Sequence, residues 1–387
     1  MTLLPPNRPS AAAVFGCLGL LTIGWTGLLI PSLIRSIKQT FEQNDAGIGL
    51  LYLLYAVAYA FGSFGGGPLT ERLGRRRVLV TAAALHGAGI LSLGLAPSWT
   101  WFVLAALPAG LGAGALDGGS NGLFLDLFRT GRGRAMNLLH LFFSIGALSA
   151  PVVVGTLVDG GVAWGSVLVG SSVAVFGLAL GFGVVAMPSG RSAGEGSSEP
   201  RSSIRSRVSL PLVLLGVAIC TYVASEVGVS NWLVRFLEPA PLSTATLALS
   251  LFWAGLAVGR LVSSQIADRF DHVRLTVGCA VLLSVALLGA IVVPALPISI
   301  ALFAICGVAS GPIFPMILAI AGERYADRSA AVSGLLTGFG VVGGTVYPPL
   351  MGVLSVTVGL MVAMVGNVIL GLACAAALMA FERQRSR

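Results

Sequence analysis

Twelve apolar runs of about 20 residues, separated by short gaps that concentrate the arginines, constrain this chain more than any other feature. Each run is long enough to cross the ~30 Å hydrocarbon core of a bilayer as a helix. A segment in that environment must satisfy its backbone hydrogen bonds internally, which selects helices. The runs fall at about 11–34, 46–69, 78–96, 101–126, 135–158, 163–187, 209–235, 243–266, 275–294, 298–321, 330–356 and 360–381. Only 10% of the residues are charged and 56% are hydrophobic, and the mean hydropathy is +0.93. Lipid is therefore the solvent for most of the chain. The expected fold is an all-α membrane protein with twelve transmembrane helices.

The basic residues alternate between gaps. Arg72, Arg75, Arg76 and Arg77 follow the second run, Arg129, Arg132 and Arg134 the fourth, Arg269 and Arg274 the eighth, and Arg324 and Arg328 the tenth. Arg8, Arg383, Arg385 and Arg387 lie at the two ends, whereas the intervening gaps keep only Arg35, Lys38 and Arg235. The positive-inside rule then places both termini in the cytoplasm, in a cell inner membrane or plasma membrane. The formal net charge of +8 reads as loops anchored against an anionic leaflet, and nucleic acid is not expected as a partner. The first run is too long for the core of a cleaved leader and is expected to be retained. Cys17, Cys220, Cys279, Cys306 and Cys374 all lie in apolar runs without ligand-like spacing, so neither a disulfide nor a metal site is expected.

The longest hydrophilic stretch, 188–208, is rich in Ser, Gly and Arg and has the composition of a linker. It divides the chain into six runs at 1–187 and six at 209–387. A shift of 197 residues brings the halves into register: Arg72 falls on Arg269, Gly110 on Gly307, Gly114 on Gly311, Gly146 on Gly343, Pro151 on Pro348 and Gly155 on Gly352. Parallel six-helix repeats are a build of alternating-access transporters, in which the halves rock around a site near the midplane. The expected architecture is thus two pseudo-symmetric six-helix bundles, sufficient as a monomer.

The loop GPLTERLGRRR at 67–77 resembles the signature between the second and third helices of the major facilitator superfamily, G-x-L-A-D-R-x-G-R-[RK]. Gly67, Leu69, Arg72, Gly74, Arg75 and Arg76 agree, while Glu71 replaces the usual Asp; a weaker copy keeps Ala267, Asp268 and Arg269. The segments at 221–237 and 137–151 are similar to the fucose permease-like and sodium/glucose-transporter-like branch. That branch tends to carry a Glu followed by a Trp in the seventh helix, and an N-x-x-H-x-x-F-x-x-G-A run in the fifth. The resemblance implies the major facilitator fold, with the first, fourth, seventh and tenth helices lining a central cavity. It also gives the signature loop a gating role. Gly67 permits a close helix contact, and Glu71 can accept from a helix N-terminus. Arg75 is placed to bridge Glu71 and Asp126, with Arg72 completing the motif.

Charge is costly in the bilayer, so acids inside apolar runs are functional candidates. Asp117 lies in the fourth run with Asn121 one turn on, and Glu226 in the seventh with Tyr222 and Ser230 one turn away on either side. No Lys or Arg occupies the middle of a run, Arg260 being near the inner end of the eighth. A carboxyl without a fixed counter-charge suits uptake and release of a proton. Asp117 and Glu226 are therefore the expected proton-coupling groups, with Asn121, Trp25, Tyr222, His140 and Asn137 as candidates for binding substrate. Tyr52, Tyr55 and Tyr59 form a helical stripe whose default reading is packing; His86 reads as structural. Trp232 is either a cavity residue or an interfacial anchor.

The absence of an arginine clamp argues against phosphates and dicarboxylates. The expected function is secondary active transport of a small neutral polar solute such as a sugar, driven by a proton or sodium gradient and needing no cofactor. Proton-coupled efflux of lipophilic or cationic drugs is the alternative. An enzyme is not expected: Asp117, His140 and Ser144 form an acid–His–Ser set only on paper, with no nucleophile elbow or cofactor fingerprint.

Overall fold

The computed structural model describes residues 11–128, 132–187, 209–266, 269–325 and 329–385. The linker at 188–208 and the Ala267–Asp268 pair of the weaker signature copy lie outside them, as do the surroundings of Gly67 and the side chains of Glu71 and Asn137. The described chain is helical throughout its spans. Helices α1 (Ala11–Gly27) and α2 (Leu29–Phe41) form one span broken at Leu28, followed by α3 (Asp45–Leu73), α4 (Arg75–Gly94), α5 (Trp99–Leu127), α6 (Arg132–Asp159) and α7 (Trp164–Val184). The second half comprises α8 (Leu210–Phe236), α9 (Leu242–Ile266), α10 (His272–Val292), α11 (Leu296–Ser310), α12 (Ile313–Arg324), α13 (Ser329–Thr357) and α14 (Leu360–Arg385).

Among the described residues, twelve helical stretches are long and apolar enough to cross a membrane, six before the linker and six after it. The first runs farther than its apolar composition alone suggests, through Arg35 and Lys38 to Phe41, because Leu33, Ile34 and Ile37 keep one face of α2 buried. The tenth is interrupted between α11 and α12 at Gly311–Pro312. By contacts the chain forms two units. One holds the residues up to Ile37 and from Leu54 onward in the first half; the other adds Lys38–Leu53 to the second half.

In the first unit α1 packs on α6 and α4 lies between α5 and α7. Leu20, Ile23, Leu79, Leu116, Phe124 and Phe182 form its buried core. In the second unit α8 lies between α13 and α14, and α9 packs on α11.

The 197-residue register seen in the sequence reappears in the contacts within each unit. A Cβ on Gly110 would lie 2.4 Å from the Tyr55 carbonyl oxygen, and one on Gly114 would lie 1.9 Å from that of Tyr59. In the second half, a Cβ on Gly307 would lie 2.0 Å from the Phe252 oxygen and one on Gly311 2.3 Å from that of Leu256. Adding 197 to 110, 114, 55 and 59 gives 307, 311, 252 and 256. The same backbone-to-backbone crossing is built twice, and only hydrogen fits at its contact points. Gly114→Val is expected to destabilise the protein by about 1–3 kcal/mol through overpacking. Gly177→Ala on α7, where a Cβ meets nothing within 4 Å, should leave the melting temperature unchanged or slightly raised. Thermal unfolding of the two purified variants separates these outcomes.

Candidate functional site

The Gly114 crossing also positions the chemistry. It brings the α3 backbone at Tyr59 against α5 one turn before Asp117, and the Tyr59 hydroxyl donates to Asp117 Oδ2 at 2.7 Å. From one turn farther along α5, Asn121 Nδ2 donates to Asp117 Oδ1 at 2.8 Å and to the Asp117 carbonyl at 3.0 Å. Both carboxylate oxygens thus have a donor. His140, exposed on α6, lies within electrostatic reach of Asp117, and the Ser144 hydroxyl donates to the His140 carbonyl at 3.2 Å. No Lys or Arg forms an ion pair with Asp117 among the described residues. The structure therefore joins Asp117, Asn121 and His140 and adds Tyr59, which its place in a tyrosine stripe concealed. Tyr55 stacks on Tyr59 with ring centroids 6.5 Å apart. Asn137 lies outside the described side chains.

Trp25 is half-buried, and its indole N–H donates to Ser171 Oγ at 3.0 Å. His86 is fully buried between α1 and α5, with Nδ1 2.8 Å from the Ala109 carbonyl and Nε2 2.9 Å from Thr26 Oγ1. Both side chains tie helices of the first unit together.

In the second unit Glu226 faces Tyr222 on α8 and Arg260 on α9. This corrects the expectation that neither acid has a cation nearby. Arg260 lies six residues before the end of α9, inside the apolar span, and the crossing of α9 on α11 brings it inward. Tyr222 is fully buried and donates its hydroxyl proton to the Ser310 carbonyl at 2.8 Å. That leaves its oxygen free to accept from Glu226 when the carboxyl carries a proton. Trp232 is neither an interfacial anchor nor solvent-lining: it is fully buried and donates to the Pro348 carbonyl at 2.8 Å.

These two acid clusters, in six-helix halves related by a 197-residue repeat, are the features that comparison with known proteins has to explain. A family model described as Major Facilitator Superfamily matches residues 14–240 and 215–387. The chain belongs to the Major Facilitator Superfamily. It is a multi-pass membrane transporter and not an enzyme. A glucose/galactose transporter of Brucella abortus is 26% identical over 358 residues, covering 87% of this chain and 86% of the relative. A gentisate transporter of Corynebacterium glutamicum is 23% identical over 365 residues, covering 90% and 82%. Among solved structures, that of a mutant of the nucleoside transporter NupG superposes with a TM-score of 0.77 at 14% identity, covering 96% of this chain and 100% of that one. That likeness is one of fold.

The superfamily signature is partly visible in side chains. Arg75, at the start of α4, is paired with Asp126 near the end of α5 and donates to the Gly119 carbonyl at 3.3 Å. Its Nε is buried without a partner among the described residues. Arg72 is exposed, and the surroundings of Gly67 and the side chain of Glu71 lie outside what is described.

A third charged cluster was not anticipated. Asp45, at the start of α3, is 3% exposed. It is paired with Lys38 of α2 and with Arg235 of α8, whose Nε is 3.0 Å away, and it accepts from the Ser355 hydroxyl of α13. Tyr52 extends the contact by donating to the Asn231 carbonyl at 3.1 Å and meeting Trp232 edge-on. In the sequence Lys38 and Asp45 share one gap and Arg235 stands at the end of a distant run, and all three look like ordinary loop charges.

Proposed function

We propose that this transporter moves a small polar solute of the sugar class by alternating access, and that Asp117 carries the proton coupled to it. The observation that carries the reading is an intramembrane carboxylate held by Tyr59 and Asn121, beside His140, with no ion-paired Lys or Arg among the described residues. A proton arriving on either oxygen removes the charge that strengthens both bonds and leaves the protonated oxygen the weaker acceptor, so the hold of Tyr59 or of Asn121 loosens. Release of Tyr59 loosens the α3–α5 contact, while release of Asn121 frees an amide that a solute hydroxyl can take. Protonation is thereby coupled both to helix packing and to binding. The glucose/galactose relative supports the sugar class. A single chain suffices, both termini face the cytoplasm on the arginine distribution, and the Arg75–Asp126 pair acts as a latch on that side.

The test is solute accumulation in proteoliposomes under an imposed pH gradient, with a panel of hexoses, pentoses and polyols. One pH unit is worth about 1.4 kcal/mol per proton and sustains about tenfold accumulation at one proton per solute. Accumulation that collapses with a protonophore is the expected result. Accumulation that ignores the pH gradient and follows a sodium gradient overturns the proton assignment.

A further inference from the structure

We propose that Arg260 is the recognition group of an anion site in the second unit, and that the solute it takes is a monocarboxylate bound together with the proton that neutralises Glu226. The inference rests on the transport reading and narrows its solute to an acidic member of the polar class.

Three helices converge at this place. Arg260 sits on α9 inside the apolar span, where a guanidinium without a counter-ion is costly. Among the described residues no carboxylate lies within ion-pair distance of it, although the Glu226 charge reaches it from α8. The third element is the interruption between α11 and α12. A Cβ on Gly311 would lie 2.7 Å from the Arg260 backbone nitrogen, and Ser310, just before the break, accepts from Tyr222. Pro312 and Pro315 have no N–H, so the carbonyls of Val308 and Gly311 lose the donors that a continuous helix would give them. Interrupted membrane helices put polar backbone at the level of a bound solute. Here the interruption lies against the backbone of Arg260, whose side chain is half-buried.

Charge balance then selects the ligand. While Glu226 is ionised it compensates Arg260 across the gap. When Glu226 takes a proton, its oxygen-bound hydrogen can point to the Tyr222 oxygen, and one positive charge is left uncompensated. A monoanion restores neutrality, and the planar fork of Arg matches a carboxylate with two parallel hydrogen bonds. Among the described residues, the other groups on the helices packed here supply no charge that is both buried and unpaired. Cys306 of α11 faces Glu226, and Cys374 of α14 faces Tyr222. Tyr347 of α13 donates to the Ala363 carbonyl. Glu323, near the end of α12, is paired with His272, and Arg324 beside it is exposed. A dicarboxylate would bring one charge too many, and a neutral solute would leave Arg260 uncompensated whenever Glu226 is protonated.

The test is thermal melting of the purified transporter with acetate, gluconate and benzoate, each against its uncharged counterpart acetamide, glucose or benzamide. At mildly acidic pH the carboxylates are expected to stabilise the wild type more than their counterparts. Their apparent affinity should rise about tenfold per unit of acidification while Glu226 titrates, as one linked proton requires. Arg260→Gln should remove the difference, and Arg260→Lys, which keeps the charge but not the fork, should retain a weaker one. Glu226→Gln should bind carboxylates at neutral pH without further gain on acidification. Equal responses to carboxylates and counterparts in the wild type, or a carboxylate response that survives in Arg260→Gln, overturns the anion site. If that happens while the wild type still accumulates glucose with a proton, the transport reading stands and only the anion site is lost.

Discussion

Asp117→Asn is expected to abolish solute accumulation driven by a pH gradient while leaving the fold intact. The substitution conserves shape. Its amide oxygen can still accept from one of Tyr59 and Asn121, and the Tyr59 hydroxyl can turn to accept from the new NH2 group. Melting should therefore change little. What the amide cannot do is take up and release a proton. Under a gradient of one pH unit the wild type is expected to concentrate solute about tenfold, and the variant to stop at an inside-to-outside ratio of about one. Exchange of labelled for unlabelled solute, which needs no net proton movement, should persist. Loss of exchange together with accumulation would make Asp117 a binding group without a coupling role.

The second large effect belongs to Asp45. Its carboxylate is buried and shared by Lys38, Arg235 and Ser355. Removing it as Asp45→Ala leaves two cations with far less compensation in a partly buried place, although Arg235 keeps Glu238. Breaking a buried pair by deleting one partner costs about 3–5 kcal/mol, much more than the pair contributes in net terms. Because Arg235 and Lys38 are partly exposed, about 3 kcal/mol is the expected loss, read as a large fall in melting temperature. The double variant with Arg235→Leu should recover part of it. By contrast Glu382→Gln, which breaks the exposed Arg274–Glu382 pair, should leave melting unchanged, since solvent screens such contacts. Equal behaviour of Asp45→Ala and Glu382→Gln would show that the Asp45 cluster is not held as the structure indicates.

These expectations also show what the amino-acid order makes legible. The spans follow from apolar length, and the two halves from the spacing of glycines: Gly110 with Gly114, and Gly307 with Gly311, contact equivalent carbonyls because one ancestral crossing is present twice. Asp117 and Asn121 are one helical turn apart, so their shared face can be read directly. Tyr59 could not be read in the same way. The stripe of Tyr52, Tyr55 and Tyr59 has uniform spacing, yet its members go to the Asn231 carbonyl, a ring stack and the Asp117 carboxylate. Spacing along one helix does not reveal what the neighbouring helix presents. Arg260 was obscured for a related reason. Counted along α9 it sits toward an end, but the tight crossing with Gly311 and the break at Pro312 place it opposite Glu226. The Asp45 cluster joins the neighbouring Lys38 to Arg235 and Ser355, which lie 190 and 310 residues from Asp45, and no local pattern announces it.

The most direct test of the account is to count protons and solute together. Proteoliposomes holding the wild type or Asp117→Asn, with a pH-sensitive dye inside, would be given labelled solute while proton entry and solute entry are recorded in the same sample. Each neutral sugar should enter the wild type with a proton, and the variant should exchange that sugar without moving protons. Proton entry that persists in Asp117→Asn at the wild-type ratio would contradict the assignment of coupling to Asp117.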